Sequence, residues 1–298
     1  MRIKRWHWIL LSIALGLFAA KVALLDGAAA PGPAYSIDLE ALHRAALSGG
    51  AMPSRIEVEK IAEFSFPRTI VVAGDGFAMH EMVLLSHRVV YPDHSLLIDT
   101  ALGPEAVGNL PGGKLDAAAF ARMQRAMLQS DTIVFTHEHV DHVGGVAAAP
   151  SFSAIASKVA MTKAQFHGPK LEREYFPPGG LEQFRLFEYS GLRAIAPGVV
   201  LQMAPGHTPG TQLVYVELAN GARYLFVGDI AWTEDNIRLQ RGRPGIARVL
   251  MAEDRAAVAA QLKALAALPK DVHIVVAHDP IAYQRDLAAG LFQNRFSD

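Results

Sequence analysis

The sequence contains no cysteine among its 298 residues. No disulfide bond can therefore form, and neither a thiolate metal ligand nor a thiolate nucleophile is available. Charge is also scarce, since charged residues make up 19% of the chain and the formal net charge is −1. A protein that binds nucleic acid normally shows a strongly basic face. The composition therefore excludes thiol chemistry and gives no indication of a nucleic-acid partner.

Apolar residues are plentiful, at 51% of the chain, which is enough to bury a substantial core. The first 30 residues differ from the rest. A basic start is followed by the apolar run Ile9–Ala20 and by the small residues Ala28-Ala29-Ala30. This order is typical of a secretory signal. We therefore expect residues 1–30 to be a signal peptide or, alternatively, an uncleaved N-terminal membrane anchor. Either interpretation places the domain outside the cytoplasm, in the periplasm or on the membrane.

The rest of the chain begins with a predicted linker. Residues 31–54 contain a short predicted helix over Ile37–Leu47, which ends at a Ser-Gly-Gly sequence. From residue 55 to 298 the pattern predicts one domain. Its opening section is rich in strands, with predicted strands over residues 56–63, Thr69–Ala73, Met82–Val90 and Ser95–Thr100. A predicted helix over Leu115–Gln129 and a strand over Asp131–Phe135 follow.

The second half repeats this order of strands and then helix. A strand over Val199–Met203 precedes a hairpin, Thr211–Leu218 with Arg223–Val227, whose turn carries the Asn-Gly signal. A helix over residues 253–268, a strand over Val272–Ala277 and a short closing helix complete the chain. The repeated order predicts an α/β fold in which two sheets pack face to face with helices outside.

Seven candidate metal ligands share one kind of position, directly after a predicted strand. Four follow the apolar run 132–135 and three follow later strands, namely His137, His139, Asp141 and His142, then His207, Asp229 and His278. Imidazole and carboxylate are the usual ligands of zinc and similar metals. Strand ends hold such side chains on rigid supports. Five histidines and two aspartates suit two metal ions that share one carboxylate.

The spacing His137-x-His139-x-Asp141-His142, together with the three later ligands, resembles the metallo-β-lactamase superfamily. The phrases around these residues are similar as well, namely Leu97-Ile98-Asp99-Thr100, Pro205-Gly206-His207-Thr208-Pro209-Gly210 and Phe226-Val227-Gly228-Asp229. The resemblance covers about residues 55–280. It implies a four-layer αββα sandwich with two Zn²⁺ ions at one sheet edge, where iron or manganese are the alternative metals.

The resemblance also implies a role for each ligand. His137, His139 and His207 would hold one metal, Asp141, His142 and His278 the other, and Asp229 would bridge them. A hydroxide between the metals would attack the substrate, because metal coordination lowers the pKa of bound water to about 7. Asp141 would carry a proton towards the leaving group.

Asp229 makes the chain more similar to the glyoxalase-II-like and lactonase-like branches than to true metallo-β-lactamases. The expected activity is hydrolysis of a small ester, lactone, thioester or amide. Two alternatives stay open: a mononuclear-iron enzyme like the sulfur dioxygenases, and a metal-binding protein of the same fold without catalysis.

Other residues near the cluster carry secondary expectations. Glu138 is predicted to be a solvated neighbour outside the chemistry. Asp99 is predicted to support the metal loop by hydrogen bonding. Gly144-Gly145 is predicted to turn the backbone tightly beneath that loop.

The aromatic, Pro/Gly-rich segment 163–190 has two open interpretations, a lid over the pocket or a loop that packs its aromatics on the domain. Tyr175, Tyr189 and Trp232 are candidate substrate contacts.

Overall fold

The computed structural model describes residues 4–25, 29, 32–47 and 49–297. Its α-helices are α1 (Arg5–Leu25), α2 (Leu39–Ala46), α3 (Arg68–Val71), α4 (Pro104–Gly108), α5 (Ala117–Gln129), α6 (Val140–Ala147), α7 (Phe152–Ala156), α8 (Lys163–Phe166), α9 (Glu234–Leu239), α10 (Ala247–Leu250), α11 (Arg255–Ala266) and α12 (Pro280–Ala288). Its strands are β1 (Arg55–Pro67), β2 (Met79–Val90), β3 (Ser95–Ile98), β4 (Lys114–Leu115), β5 (Thr132–Val134), β6 (Ala160–Thr162), β7 (Arg185–Phe187), β8 (Leu192–Ala196), β9 (Val199–Met203), β10 (Gln212–Glu217), β11 (Arg223–Phe226), β12 (Val272–Val275) and β13 (Gln293–Asn294). Single turns of 3-10 helix cover Arg173–Tyr175, Leu181–Gln183 and Gly228–Ile230. Arg2, Ala28 and Ala30 of the predicted signal lie outside the described residues.

Two sheets form the centre of the domain. The first has the strand order β13-β1-β2-β3-β5, and β4 also pairs with β1. The second has the order β12-β11-β10-β9-β8, while β6 and β7 form a small separate pair. The neighbours β3 and β5 are parallel, as are β11 and β12. Parallel neighbours end at the same sheet edge, so loops that follow them come together.

Alternate side chains of each sheet point towards the other sheet. Val89, Ile98 and Val134 from the first sheet form one buried cluster with Val214 and Phe226 from the second. The period of two along a strand puts the neighbouring residues on the opposite face. The centre of the protein is therefore an apolar layer between the two sheets.

The outward-facing side chains of both sheets are covered by helices. On the first sheet, Leu97 shares a buried cluster with Met123 of α5. On the second, Leu213 shares one with Leu42 of α2 and Leu262 of α11. Because both faces are covered, strands such as β3 and β10 read as nearly continuous apolar runs. The predicted four-layer αββα sandwich is confirmed.

Helix α2 lies within the segment that was predicted as a linker. Its Leu42 and Ala46 are fully buried against the second sheet. Asp38 caps it by accepting a hydrogen bond from the backbone N–H of Ala41. This part of the predicted linker therefore belongs to the outer layer of the domain.

The predicted strand over Thr69–Ala73 is wrong, because residues 68–71 form the short helix α3. Its β-branched residues favour a strand locally. Two backbone hydrogen bonds close a loop there instead, from Arg68 N to Ala78 O and from Thr69 N to Gly76 O. Tertiary burial of Thr69 and Val71 thus overrides local propensity.

The prediction of a tight turn at Gly144-Gly145 is also wrong. Both residues lie inside α6, which begins at Val140. A Cβ atom on Gly145 would lie 2.1 Å from the backbone oxygen of Thr100, and one on Gly144 would lie 3.2 Å from that of Ala101. The glycines therefore serve close packing of α6 against the loop that follows β3.

The segment 163–190 packs part of its aromatics on the domain. Phe176 and Phe184 are buried and lie with Phe152 in the outer cluster of the first sheet. Tyr189 donates a hydrogen bond of 2.7 Å from its hydroxyl to Gln212 Oε1. Tyr175, in contrast, is 45% exposed. The packing interpretation is therefore correct for these phenylalanines.

Burial of His87 gives the fold a testable dependence on pH. The imidazole packs against Phe226 and Phe292, with ring centroids 4.8 and 5.5 Å away. Burial lowers its pKa from 6.5 to about 4. The unfolded chain takes up this proton at higher pH than the folded chain. Stability is therefore complete above pH 6.5 and is lost as pH falls from 6.5 towards 4.

We expect His87→Phe to remove this loss. As pH is lowered from 6.5 towards 4, the free energy of unfolding of the metal-free native chain should decrease, relative to that of metal-free His87→Phe, by about 1.4 kcal/mol per pH unit. Denaturant titrations at a series of pH values measure the difference. His167→Gln, at an exposed histidine, is the control for the loss of one histidine. A flat difference for His87→Phe would contradict the expectation.

Candidate metal centre

The first four candidate ligands lie where β5 passes into α6. β5 ends at Val134, and His137 and His139 lie in the short connection that follows. Asp141 and His142 belong to the first turn of α6. A carboxylate there interacts favourably with the positive end of the helix dipole. The sequence folds this way because the apolar β5 is held between both cores while the polar residues after it leave the sheet.

The other three ligands reach the same edge from the second sheet. His207 lies in the loop between β9 and β10. Asp229 lies in the 3-10 turn directly after β11, and His278 lies shortly after the parallel strand β12. His137, His207, Asp229 and His278 are all at most 2% exposed. The structure therefore brings all seven sequence-predicted ligands together.

One group of four side chains could hold a metal ion. It consists of His137, His139, His207 and Asp229. His139 Nδ1 lies 3.1 Å from His137 Nε2 and 3.0 Å from His207 Nε2. Asp229 Oδ2 lies 3.3 Å from His207 Nε2 and 3.7 Å from His137 Nε2. Tetrahedral zinc bonds of about 2.0–2.1 Å place ligand atoms about 3.4 Å apart, so the spacing fits.

A second group lies beside the first and shares its aspartate. It consists of Asp141, His142, His278 and Asp229. Asp229 Oδ1 lies 3.2 Å from His142 Nε2 and 3.1 Å from His278 Nε2. Asp141 Oδ2 lies 3.7 and 3.6 Å from the same two nitrogens. Each carboxylate oxygen of Asp229 therefore faces a different group.

Buried polar atoms test whether metal ions fit this centre. His142 Nε2, His278 Nε2 and Asp229 Oδ1 are buried and have no hydrogen-bond partner within the described part of the chain. Buried polar atoms without partners are costly and rare in native proteins. All three belong to the second group and point to one place. A bound cation would satisfy them together, so the donor set fits a metal.

The electrostatics of His137, His139 and Asp229 also suit metal binding, whereas the surrounding carboxylates raise the pKa of His142 and His207. Burial and the neighbouring histidines hold the pKa of His137 and His139 well below the usual value, so both imidazoles are neutral. Burial opposes ionisation of Asp229, but His278, His137, His142 and His207 keep its pKa well below the usual value. Neutral imidazole and ionised carboxylate are the forms that ligate metals.

Hydrogen bonds behind the ligands fix their orientation. Asp99, whose backbone is left-handed with φ of 57°, accepts hydrogen bonds from Thr136 N at 2.7 Å and His142 Nδ1 at 2.9 Å. His278 Nδ1 donates to the backbone oxygen of Val83 at 2.9 Å. Holding Nδ1–H in this way leaves Nε2 free as the ligand atom. The supporting position predicted for Asp99 is the one that the structure shows.

Two supporting residues were not identified as such from the sequence. Glu253 Oε2 accepts a hydrogen bond of 3.0 Å from His207 Nδ1. Trp232, which was predicted to contact substrate, is 6% exposed, and its indole N–H donates to Asp229 Oδ2 at 2.6 Å. Neither residue lies in a recognisable motif, although Trp232 is only three positions after Asp229.

The interpretation of Glu138 as a solvated neighbour is wrong. Its side chain is fully buried, and Glu138 Oε2 accepts a hydrogen bond of 2.7 Å from Thr208 Oγ1. A Cβ atom on Gly168 or Gly210 would lie within 2.5 Å of this carboxyl group. Burial raises the pKa of Glu138. Glu138 thus ties the loop of His137 and His139 to the loop that carries His207.

Asp141 is half-buried, since its side chain is 27% accessible whereas that of Asp229 is 2% accessible. His139 is half-buried. These two residues therefore mark the side from which a small molecule can approach.

This arrangement defines a class, an αββα sandwich with two adjoining groups of candidate metal ligands at one sheet edge. The sequence matches the metallo-beta-lactamase superfamily over residues 85–278. The chain therefore belongs to the metallo-beta-lactamase superfamily.

Curated relatives match part of the chain. The chain is 33% identical over 157 residues to a hydroxyacylglutathione hydrolase of Albidiferax ferrireducens, and the alignment covers 53% of this chain and 52% of the relative. It is 29% identical over 104 residues to an N-acyl homoserine lactonase of a Bacillus species, covering 35% of this chain and 40% of the relative. The chain thus spans about half the length of the curated relatives it matches.

Solved structures share the fold. An N-acyl homoserine lactone hydrolase, solved with the product N-hexanoyl-L-homoserine at its catalytic metal center, aligns with a TM-score of 0.60. It is 16% identical and the alignment covers 78% of this chain and 96% of that one. The dizinc quorum-quenching lactonase AidC aligns with a TM-score of 0.55 at 17% identity, over 76% and 89% of the chains.

The contact between Asp99 and His142 predicts a change in metal affinity. We expect Asp99→Asn to weaken metal binding by the second ligand group by about 10- to 100-fold, because the amide cannot accept from His142 and Thr136 as the carboxylate does. Titration of chelator-treated protein with zinc, in competition with a chromogenic chelator, measures this. Asp116→Asn is the matched control, since asparagine caps α5 equally well. Unchanged affinity in Asp99→Asn would contradict the expectation.

Proposed function

We propose that the chain is a dinuclear metallohydrolase that cleaves a small ester, lactone, thioester or amide. The observation that carries this proposal is the shared carboxylate, with Asp229 Oδ2 facing one ligand group and Oδ1 the other. His137, His139 and His207 would hold the first metal, and Asp141, His142 and His278 the second. The metals are proposed to be two Zn²⁺ ions.

Two such ions would acidify a bound water and polarise the oxygen of the scissile bond. The chain's own residues determine the rest. Asp229, ionised and held by Trp232, keeps both groups at one spacing. Asp141 turns Oδ2 towards His142 and His278, and its side chain is partly exposed. Its other oxygen is thus left to accept a proton from the attacking water and to pass it to the leaving atom.

The names of the relatives support small acyl substrates. Their names include a hydroxyacylglutathione hydrolase and N-acyl homoserine lactonases. The bridging Asp229 is what connects this chain to that group of activities. We propose lactones and thioesters as the substrates to test first.

We also propose that the chain is exported and acts in the periplasm or at the membrane. Helix α1 contains an apolar span, Arg5–Val22, of 18 residues with a mean hydropathy of 1.2, none of which is buried. The length and composition of this helix support a signal peptide or an anchor. Fractionation of cells that express the tagged full chain tests this, and recovery of all the protein in the cytoplasm would contradict it.

The proposal predicts the metal content. The purified chain should bind two metal ions, and His137→Ala should bind fewer and lose at least about 100-fold in kcat/KM, since removal of one ligand misplaces both metals. Elemental analysis and a panel of lactones, thioesters and esters measure both quantities. His167→Ala, at an exposed histidine outside both ligand groups, is the control. Fewer than one metal per chain, or undiminished hydrolysis by His137→Ala, would exclude the proposal. A single iron with oxygen consumption would indicate the dioxygenase alternative.

The proton-carrying role of Asp141 predicts a loss in kcat. At saturating zinc, Asp141→Asn should lower kcat by about 10²- to 10⁴-fold, because an amide cannot accept the proton. The loss should shrink for a substrate with a good leaving group, such as a nitrophenyl ester, because its departure needs no proton. An equal loss for good and poor leaving groups would assign Asp141 to metal binding alone.

A further inference from the structure

A segment that joins α9 to α11, residues 240–254, runs behind the first ligand group. Asp254 N donates a hydrogen bond of 2.8 Å to the backbone oxygen of Gly206, next to His207. Ala73 N donates one of 3.0 Å to Gly242 O, which fixes the other end of the segment. Two charged residues of this segment, Arg243 and Glu253, are thereby brought close to the metal centre.

Arg243 is fully buried, with 0% of its surface exposed. Its Nε donates to Glu253 Oε2 at 2.6 Å, and a second guanidinium nitrogen contacts the same oxygen. The guanidinium carbon lies 5.1 Å from the centre of the Trp232 ring. Both neighbours of Arg243 are therefore the residues that hold metal ligands, since Glu253 accepts from His207 and Trp232 donates to Asp229.

These contacts form one connected unit. A carboxylate as deeply buried as that of Glu253 needs partners. Glu253 Oε2 lies 2.6 Å from Arg243 Nε and 3.0 Å from His207 Nδ1. A hydrogen bond at Nδ1 orients the His207 ring and leaves Nε2 as the ligand atom. Arg243 thus supports the orientation of a side chain that it does not touch.

The Nδ1 atoms of His207, His142 and His278 are held by different groups, and Glu253 holds only that of His207. His207 Nε2 and Asp229 Oδ2 face the first group. In the second group, His142 is held by Asp99 and His278 by the backbone of Val83. Neither contact involves the segment 240–254.

We propose that Arg243 is a positioning residue for the first metal site, acting through Glu253 on His207. The inference rests on the proposed function, because it assumes that both groups bind metal. It assigns to the segment 240–254 the affinity of one metal and not of the other.

Binding of cobalt(II) in two backgrounds tests this. His278→Ala leaves the first site as the better one, and His207→Ala leaves the second. Arg243→Met should weaken cobalt binding by about 10- to 100-fold in the His278→Ala background and by less than about 2-fold in the His207→Ala background. Visible absorption of bound cobalt measures affinity and coordination without an activity assay. Arg241→Met, at an exposed neighbour, is the matched control and should change neither.

Arg243→Lys provides the conservative variant. Lysine keeps the charge but not the planar fork that grips Glu253, so it should restore part of the affinity lost in Arg243→Met. It also carries the test if Arg243→Met does not fold. Equal losses in both backgrounds, or no loss in the His278→Ala background, would overturn the inference. If the unsubstituted chain binds two metals but Arg243→Met gives equal losses in both backgrounds, or no loss in the His278→Ala background, only the inference about Arg243 fails. If that chain binds none, the proposed function fails first.

Discussion

The structure of the metal centre depends on the buried carboxylate of Asp229. A carboxylate without partners in this position would be expelled or protonated. Here four imidazoles surround it, and an indole N–H donates to one of its oxygens. Because Oδ2 faces one ligand group and Oδ1 the other, a single side chain links the two ligand groups.

The fold makes this convergence possible by bringing two sheet edges together. Asp229 follows β11, which lies beside the parallel strand β12 that precedes His278. The loop with His137 and His139 follows β5, which lies beside the parallel strand β3. The apolar layer between the sheets holds both edges rigidly. Placing ligands on strand ends limits their movement, which a preorganised metal centre requires.

Sequence patterns predicted the features that depend on closely spaced residues or on the periodic alternation of apolar and polar residues. The density of ligands between residues 137 and 142 indicated a metal loop, and apolar alternation located most strands. The rule that strand ends carry ligands added His207, Asp229 and His278. The αββα arrangement followed from the repeated order of strands and helices, together with the family resemblance.

Residues whose roles arise from tertiary contacts were not predictable in this way. Glu253 accepts a hydrogen bond from His207, which lies 46 positions earlier in the chain. The sequence around Glu253 predicts only the start of a helix. Glu138 was expected to be exposed to solvent because glutamate is usually exposed. It is buried instead, and Thr208 donates a hydrogen bond to its carboxyl group. The β-branched residues at 69–71 favour a strand, but the closure of their loop forces a helical turn. In each case the partner is distant in sequence and leaves no local signal.

The central claim is that Asp229 bridges two metal ions. A crystal structure of the zinc-loaded chain, with anomalous scattering recorded on both sides of the zinc absorption edge, tests it most directly. The account predicts two anomalous peaks, one within each ligand group, with Asp229 Oδ2 bonded to the first ion and Oδ1 to the second. A single peak, or two peaks of which only one contacts Asp229, would contradict the account.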